Sequence, residues 1–334
     1  MKLNGVEIED TFAEAFPMVA ARAIITAETA GWAEIAAREA VGYATSVIAC
    51  DAEAGIERAL TPDQTPDGRP GVSVLFFSFN RDKLGLAVTN RVGQCVMTCA
   101  TTACYNGLPN SEKTFRVGGS LRFFGDGFQT SKLLEQWLPG GQELPSPAVV
   151  TMRASGPEQS SCADPVPMLS ASKRRLWRVP VMDGEFLCDD VFGTVKGVAG
   201  GNFIILAESQ RAALEAAEQG VSAITSDLHD VILPFPGGVV RSGSKVGSKY
   251  KKLRASTNHA FCPSLRGVVK TALPEGVHGV YEIVIDGLSL AAVERATRVG
   301  VHAACRPGVI RITAGNYGGN LGPHHIRLRE VLGF

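Results

Sequence analysis

The sequence predicts an α+β protein of two pseudo-symmetric lobes, each a split β-α-β sandwich of the ferredoxin type. Two observations carry this prediction: an internal duplication, and an alternation of strands with two helices that occurs once in each half. The duplication is visible when "IEDTF" (8–12) is laid over "CDDVF" (188–192), so that Asp10 falls on Asp190 and Phe12 on Phe192 at an offset of 180. The same offset puts "AIITAE" (23–28) on "FIILAE" (203–208), and Ala33, Ala36 and Ala37 on Ala213, Ala216 and Ala217. Further on, "NRVGQCVMTCA" (90–100) resembles "TRVGVHAACRP" (297–307) at an offset of 207, as loops of unequal length require.

The elements follow in order. Each half opens on a short strand and continues into an Ala-rich helix with helical apolar spacing, about 32–42 and 210–221. Next come β-branched and aromatic strands at 72–79 and 280–286, second helices at about 83–99 and 288–303, and further strands at 115–124 and 308–313. Residues 130–174 are rich in Pro, Gly and Ser and keep no period, so they read as a surface excursion between the halves. The lobes are therefore placed at 1–178, excursion included, and 179–334.

Composition narrows the function. The 334 residues carry 33 Lys plus Arg against 33 Asp plus Glu, so no bulk charge draws the chain to nucleic acid or a membrane surface. Aromatic content of 7% also argues against a base-stacking sheet. Among eight Cys only Cys95, Cys99 and Cys104 lie close, without a C-x-x-C pair, which fits neither a zinc ribbon nor a disulfide framework. With no apolar run near the ~18 residues of a membrane span, and no apolar core behind the first Lys, the expected location is cytoplasmic, with reduced thiols.

The stretch "GVYEIVIDGLSL" (279–290) sets Glu282 in the middle of a strand. A period of two places Glu282, Val284 and Asp286 on one face, and the pattern by itself has those acids facing water. "FPGGVVRSGSKVGSKYKKLR" (235–254) imitates the start of a phosphate loop, but Ser244 stands where that motif needs Lys. What remains is a Gly- and Ser-rich loop with Arg241, Lys245, Lys249, Lys251, Lys252 and Arg254: either a solvated basic loop or an anion site. "VKGVAGGNF" (195–203) and "TAGNYGGNLG" (313–322) concentrate Gly around Asn202, Asn316 and Asn320, as tight turns or as backbone that approaches a ligand. His302 and Cys305, three apart on a helix, could share one face, but two ligands are not a metal site and they read as helix-core residues; His324 and His325, adjacent in an extended tail, point to opposite sides. Neither a Ser/His/Asp order nor a nucleophile elbow is present.

The segments "NGVEIEDTFAEAF", "SVIACDAEAGIE", "TPDGRPG", "VGQCVMT", "FFGDGFQ", "GVAGGNFIILAESQ", "PFPGG", "SKVGSKY", "ASTNHAFCP", "LPEGVHGVYEIVIDGL" and "GNLG" occur in this order along nearly the whole chain. Through them the sequence closely resembles the formylmethanofuran:tetrahydromethanopterin formyltransferase family. The resemblance implies N-to-N formyl transfer between a formamide on methanofuran, or bacterial methylofuran, and a ring nitrogen of tetrahydromethanopterin. It further implies two ferredoxin-like lobes, a homotetramer, and no metal or prosthetic group, the two carriers being substrates. The Glu of "YEIVIDG", here Glu282, matches the family's proposed catalytic carboxylate. One carboxyl can move both protons of such a transfer if burial raises its pKa from about 4.3 toward neutrality.

Carrier contacts are expected from Asn202, from Ser244, Lys245, Ser248 and Lys249 of "SKVGSKY", and from Asn258 of "ASTNHAFCP". Lys245 and Lys249 are assigned to an anionic tail or phosphate on charge alone. The stretch between "FFGDGFQ" and "LWRVPVMDGEF" is longer than in archaeal relatives, and the balanced charge resembles the methylotrophic bacterial branch. There the family works in a formyltransferase/hydrolase complex, with flux from pterin to furan. The alternative is a non-catalytic scaffold component of such a complex.

Overall fold

The computed structural model describes residues 1–134 and 174–334. Most of the 130–174 excursion lies outside them, but its ends do not: Thr130–Leu134 is a strand paired antiparallel with Arg174–Val181. Among the described residues the protein is α+β, with a large, mostly antiparallel sheet and helices packed on it.

The N-terminal half runs β1 (Phe12–Thr26), α1 (Ala30–Val41), β2 (Glu53–Leu60), β3 (Gly71–Ser78), α2 (Arg81–Arg91) and β4 (Ala103–Asn106). The C-terminal half runs β5 (Val191–Ala207), α3 (Gln210–Asp227), β6 (Val231–Ile232), β7 (Gly279–Gly287), α4 (Leu290–Ala304) and β8 (Val309–Thr313). Pairing repeats as well as order. β3 lies between β1 and β2 while β4 takes the other edge of β1, and β7 lies between β5 and β6 while β8 takes the other edge of β5.

Each helix starts where a side-chain oxygen satisfies a free N–H of its first turn: Thr29 for α1, Asn80 for α2, Ser209 for α3 and Ser289 for α4. Thr29 and Ser209 are 180 apart, so the caps obey the duplication too. Inside the helices Ala33, Ala36 and Ala37, like Ala213, Ala216 and Ala217, are buried against the sheet, where small side chains allow close approach. The halves join because β1 pairs antiparallel with β5 over Phe16–Ala20 and Val195–Ala199. A polar latch crosses the same junction. Arg22 on β1 binds Glu57 on β2 at 2.6 Å and Asp230 before β6 at 2.6 Å, and Asp230 N donates to Glu57 at 2.7 Å.

Three expectations need correction. The strand at 115–124 is confined to Lys113–Arg116; Gly118–Leu121 and Arg122–Gly125 are helical turns. The reason is close packing, since a Cβ on Gly118 would lie 2.5 Å from the Asp189 carbonyl. The helix at 83–99 stops as an α-helix at Arg91 and widens, with Met97 N donating to the Val92 carbonyl five residues back at 2.8 Å. Cys305 ends α4 as a buried residue while His302 is exposed, so the pair shares no face. Among the described residues no helix is long and apolar enough to cross a membrane, and no three His, Cys, Asp or Glu side chains converge as metal ligands.

Candidate active site

β7 carries Glu282 and is held on both sides of that residue. Glu282 sits opposite Ile204 of β5, and on its other edge it exchanges backbone bonds with Val240, at 2.7 and 3.0 Å. The chain after Val240 then folds back over the strand. The face assigned to water is therefore covered: Glu282 is 3% exposed, Val284 6% and Asp286 0%. Alternation assigned the right residues to one face, but the loop that closes it comes from outside the strand.

The Glu282 carboxylate is bound by one residue. Ser244 donates its hydroxyl to Oε1 at 2.6 Å and its backbone N–H to Oε2 at 2.8 Å. Burial raises the carboxyl while these two bonds lower it, and the balance sets its pKa at about 7. The acid is thus poised between its two states near neutrality.

Two cavities meet here. The first, about 390 Å³, is lined by Glu282 together with Arg241, Asn258, His278 and Tyr281. The second, about 340 Å³, is lined by Asn202, Ser244, Val284 and Tyr317, with the acids Glu14 and Glu53. Ser242 and Gly243 line both, so this short piece of loop is the wall between them. Gly243 has φ +75°, and a Cβ there would lie 2.5 Å from that of Asn258. Asn258 N in turn donates to the Ser242 carbonyl at 2.9 Å, which fixes the two sides of the wall together.

Models of the family match residues 1–137, described as formylmethanofuran-tetrahydromethanopterin formyltransferase, and residues 184–331, described as its proximal lobe. A formylmethanofuran--tetrahydromethanopterin formyltransferase of Methylobacillus flagellatus is 50% identical over 339 residues, covering 99% of this chain and all of the relative. The enzyme of Methanosarcina mazei is 46% identical with the same coverage. Among solved structures, the formyltransferase from Methanosarcina barkeri superposes with a TM-score of 0.83 at 45% identity, covering 99% of this chain and 100% of that one. The formyltransferase/hydrolase complex from Methylorubrum extorquens, in complex with methylofuran, gives 0.86 at 44% identity, covering 99% and 98%. The chain belongs to the formylmethanofuran:tetrahydromethanopterin formyltransferase family. It is an enzyme of one-carbon metabolism that transfers a formyl group between the furan and pterin carriers, which are its substrates.

Of the residues singled out in this formyltransferase, Glu282, Asn258, Ser244 and Asn202 gather at the two cavities. Ser244 spends both of its donors on Glu282. Asn202 accepts from Gly315 N and donates to the Gly200 carbonyl at 3.1 Å, tying β5 to the 315–322 loop. Lys245, Ser248 and Lys249 line neither cavity. Lys245 Nζ lies 3.0 Å from His259 Nδ1, the Ser248 hydroxyl accepts from Tyr250 N at 3.1 Å, and Lys249 is exposed.

Sequence reasoning passed over two buried acids, Glu14 and Glu53, and set a third, Asp286, facing water. Glu14 on β1 accepts N–H groups from Tyr317, Gly319 (2.8 Å) and Leu321 (2.6 Å). Burial works to raise its pKa, but the donors from Leu321, Gly319 and Tyr317 prevail and hold it below the usual value. Asp286 accepts from Gly200 N at 3.0 Å, at a bulge in β5 where Gly200 has φ +86° and a Cβ would meet Phe16 at 2.9 Å. Glu53 accepts from Val47 N at 2.9 Å. Burial first, and then the neighbouring Glu53 carboxyl, push Asp286 well up; burial also raises Glu53. Burial and proximity thus both favour one proton shared between these two carboxyls over two charges.

Proposed function

We propose that Glu282 is the general acid–base of direct N-to-N formyl transfer, with the two cavities that meet beside it taking one carrier each. The observation that carries this is a buried carboxyl, poised near pH 7 and bound by Ser244, at the meeting of two cavities. The attacking amine forms a C–N bond to the formyl carbon, and Glu282 as carboxylate takes the proton this nitrogen must lose. The tetrahedral intermediate collapses by breaking the bond to the donor nitrogen, and Glu282 returns the proton to it. One group thus serves both half-steps, which is why a pKa near neutrality suits it. The role of Lys245 and Lys249 is to attract the anionic ends of the carriers from outside the cavities.

The furan carrier proposed is methylofuran. Support comes from the Methylorubrum structure, which holds it and covers 99% of this chain. The repeated strand order supports two ferredoxin-like lobes, joined through β1 and β5; the assembly and location proposed with them, a cytoplasmic homotetramer, rest on the family resemblance. One relative, from Methylorubrum extorquens, is itself a component of a formyltransferase/hydrolase complex, and this supports hydrolase proteins as partners.

The test is single-turnover formyl transfer by Glu282→Gln. A fall of roughly 10²- to 10⁴-fold with carrier affinity retained supports the acid–base role. Unchanged turnover removes it.

A further inference from the structure

The 315–322 loop reaches the active site through a single phenol. Glu14 gathers the backbone N–H groups of Tyr317, Gly319 and Leu321, while Asn202 takes that of Gly315, so both ends of the loop are fixed to strands of the central sheet. Gly318 and Gly319, both at φ +76°, give the backbone the left-handed turn that points these N–H groups inward. Thus held, Tyr317 extends its hydroxyl to the Ser244 carbonyl and donates to it at 2.9 Å. Ser244 presents its other polar groups, N–H and hydroxyl, to Glu282.

Ser244 belongs to a segment whose other bonds are largely internal. Lys245–Val246 pairs with Ala255–Ser256, Gly247 N donates to the Arg254 carbonyl at 2.8 Å, and Asn258 N donates to the Ser242 carbonyl at 2.9 Å. These bonds keep the hairpin folded but do not fix where it stands over β7. Val240 ties the start of the segment to β7, and the Tyr317 hydroxyl holds Ser244 itself from the side opposite Glu282.

We propose that Tyr317 is a positioning residue of the formyltransferase: anchored by Glu14, it clamps the Ser244 carbonyl and so sets the two hydrogen bonds that hold the Glu282 carboxylate. This deepens the acid–base reading and rests on it for its catalytic consequence, but the clamp itself is independent of catalysis. The titratable groups around Glu282 are Arg241 on the hairpin, Cys262 on the following turn, His278 and Tyr281 at its own strand, and Tyr317. The variants below leave Arg241, Cys262, His278 and Tyr281 in place. Loosening Ser244 removes donors to the charged form while burial remains, so the carboxyl becomes harder to ionise.

The experiment is an infrared titration of the Glu282 carboxyl in substrate-free enzyme labelled with ¹³C-Glu, its band assigned by its loss in Glu282→Gln. Tyr317→Phe keeps the ring and removes the hydroxyl; the titration should move upward by about one pH unit. The kcat near pH 7 should then fall about fivefold and recover by about pH 9, with carrier KM values within about twofold. Glu14→Gln, with Tyr317 intact, should produce the same upward shift, and the double variant should move no further. A Glu282 titration unchanged in Tyr317→Phe overturns the proposal, as does a shift in Glu14→Gln that adds in full to that of Tyr317→Phe. If Tyr317→Phe fails to fold, Glu14→Gln decides in its place, and if Glu14→Gln fails, Tyr317→Phe does: an upward shift of the Glu282 titration supports the clamp and an unchanged one overturns it. Because the titration is read without substrate, an active Glu282→Gln enzyme would sink the acid–base reading and leave the clamp to be decided by these shifts alone.

Discussion

The acid–base reading makes a demand on stability as well as rate. Glu282 has a folded-state pKa of about 7 against 4.5 for the free carboxyl, because burial outweighs the two bonds from Ser244. Between these values the folded chain keeps a proton that the unfolded chain has released, so the contribution of Glu282 to stability is full below pH 4.5 and is lost as pH rises through 7. The gap corresponds to roughly 3 kcal/mol lost over that window, at about 1.4 kcal/mol per pH unit. Glu282→Gln cannot ionise and escapes this loss. It does sacrifice one acceptor, leaving the Ser244 N–H or hydroxyl facing an amide NH₂, which costs about 1–3 kcal/mol at every pH. The decisive quantity is therefore the change with pH of the mutant-minus-wild-type difference, from which the constant cost drops out. Urea unfolding of both proteins at pH 5, 6, 7 and 8 should show Gln gaining on Glu by about 2–3 kcal/mol across the series, while single-turnover transfer at pH 7 is lost. A difference that stays flat with pH would mean that Glu282 ionises as readily in the folded chain as in the unfolded one. The argument from burial would then be wrong, whatever happened to the rate.

The neighbouring acids give different outcomes. Asp286→Asn keeps a donor for Glu53 and an acceptor for Gly200 N, so activity should be largely retained and urea stability should decline less as pH rises, since wild-type Asp286 must then ionise beside Glu53; a variant unfolded at neutral pH would contradict the shared proton. Arg22→Met strands the Glu57 carboxylate at the junction of the halves and should cost about 3–5 kcal/mol by urea unfolding, most of it regained in Arg22→Met/Glu57→Leu; no loss in the single variant would show that the latch is not holding the halves. Lys245→Gln with Lys249→Gln should raise a carrier KM and flatten its dependence on salt while kcat holds, and unchanged constants for both carriers would end the tail-binding assignment. Deleting 130–174 removes Thr130–Leu134 from its pairing with Arg174–Val181, so it should lower the melting temperature more than deletion of 138–170; equal melting of the two would show that this strand pair contributes nothing.

What the sequence disclosed and what it withheld divide along a physical line. The duplication was legible because helices repeat locally: the Ala faces of α1 and α3 and the oxygens that start them, Thr29 and Ser209, recur at one offset. The burial of Glu282 was not, since strand period ranks two faces but does not say which is covered, and the cover comes from Ser244 at a separation of 38 residues. A local sign did exist. "FAEAF", "CDAEAG" and "EIVIDG" each set acids in short apolar runs, and the structure buries Glu14, Glu53, Glu282 and Asp286. Buried acids then differ by what meets them. Glu14 has N–H donors from Tyr317, Gly319 and Leu321, enough to keep its charge. Glu53 and Asp286 meet each other, so burial and proximity both hold back their ionisation. Glu282 meets no second carboxyl and has two donors from one residue, Ser244, which lower its pKa part of the way back from the effect of burial. Too few donors to keep it charged and too many to keep it neutral is the condition for a carboxyl that changes state during a reaction, and it selects Glu282 over the other three from the hydrogen bonds themselves.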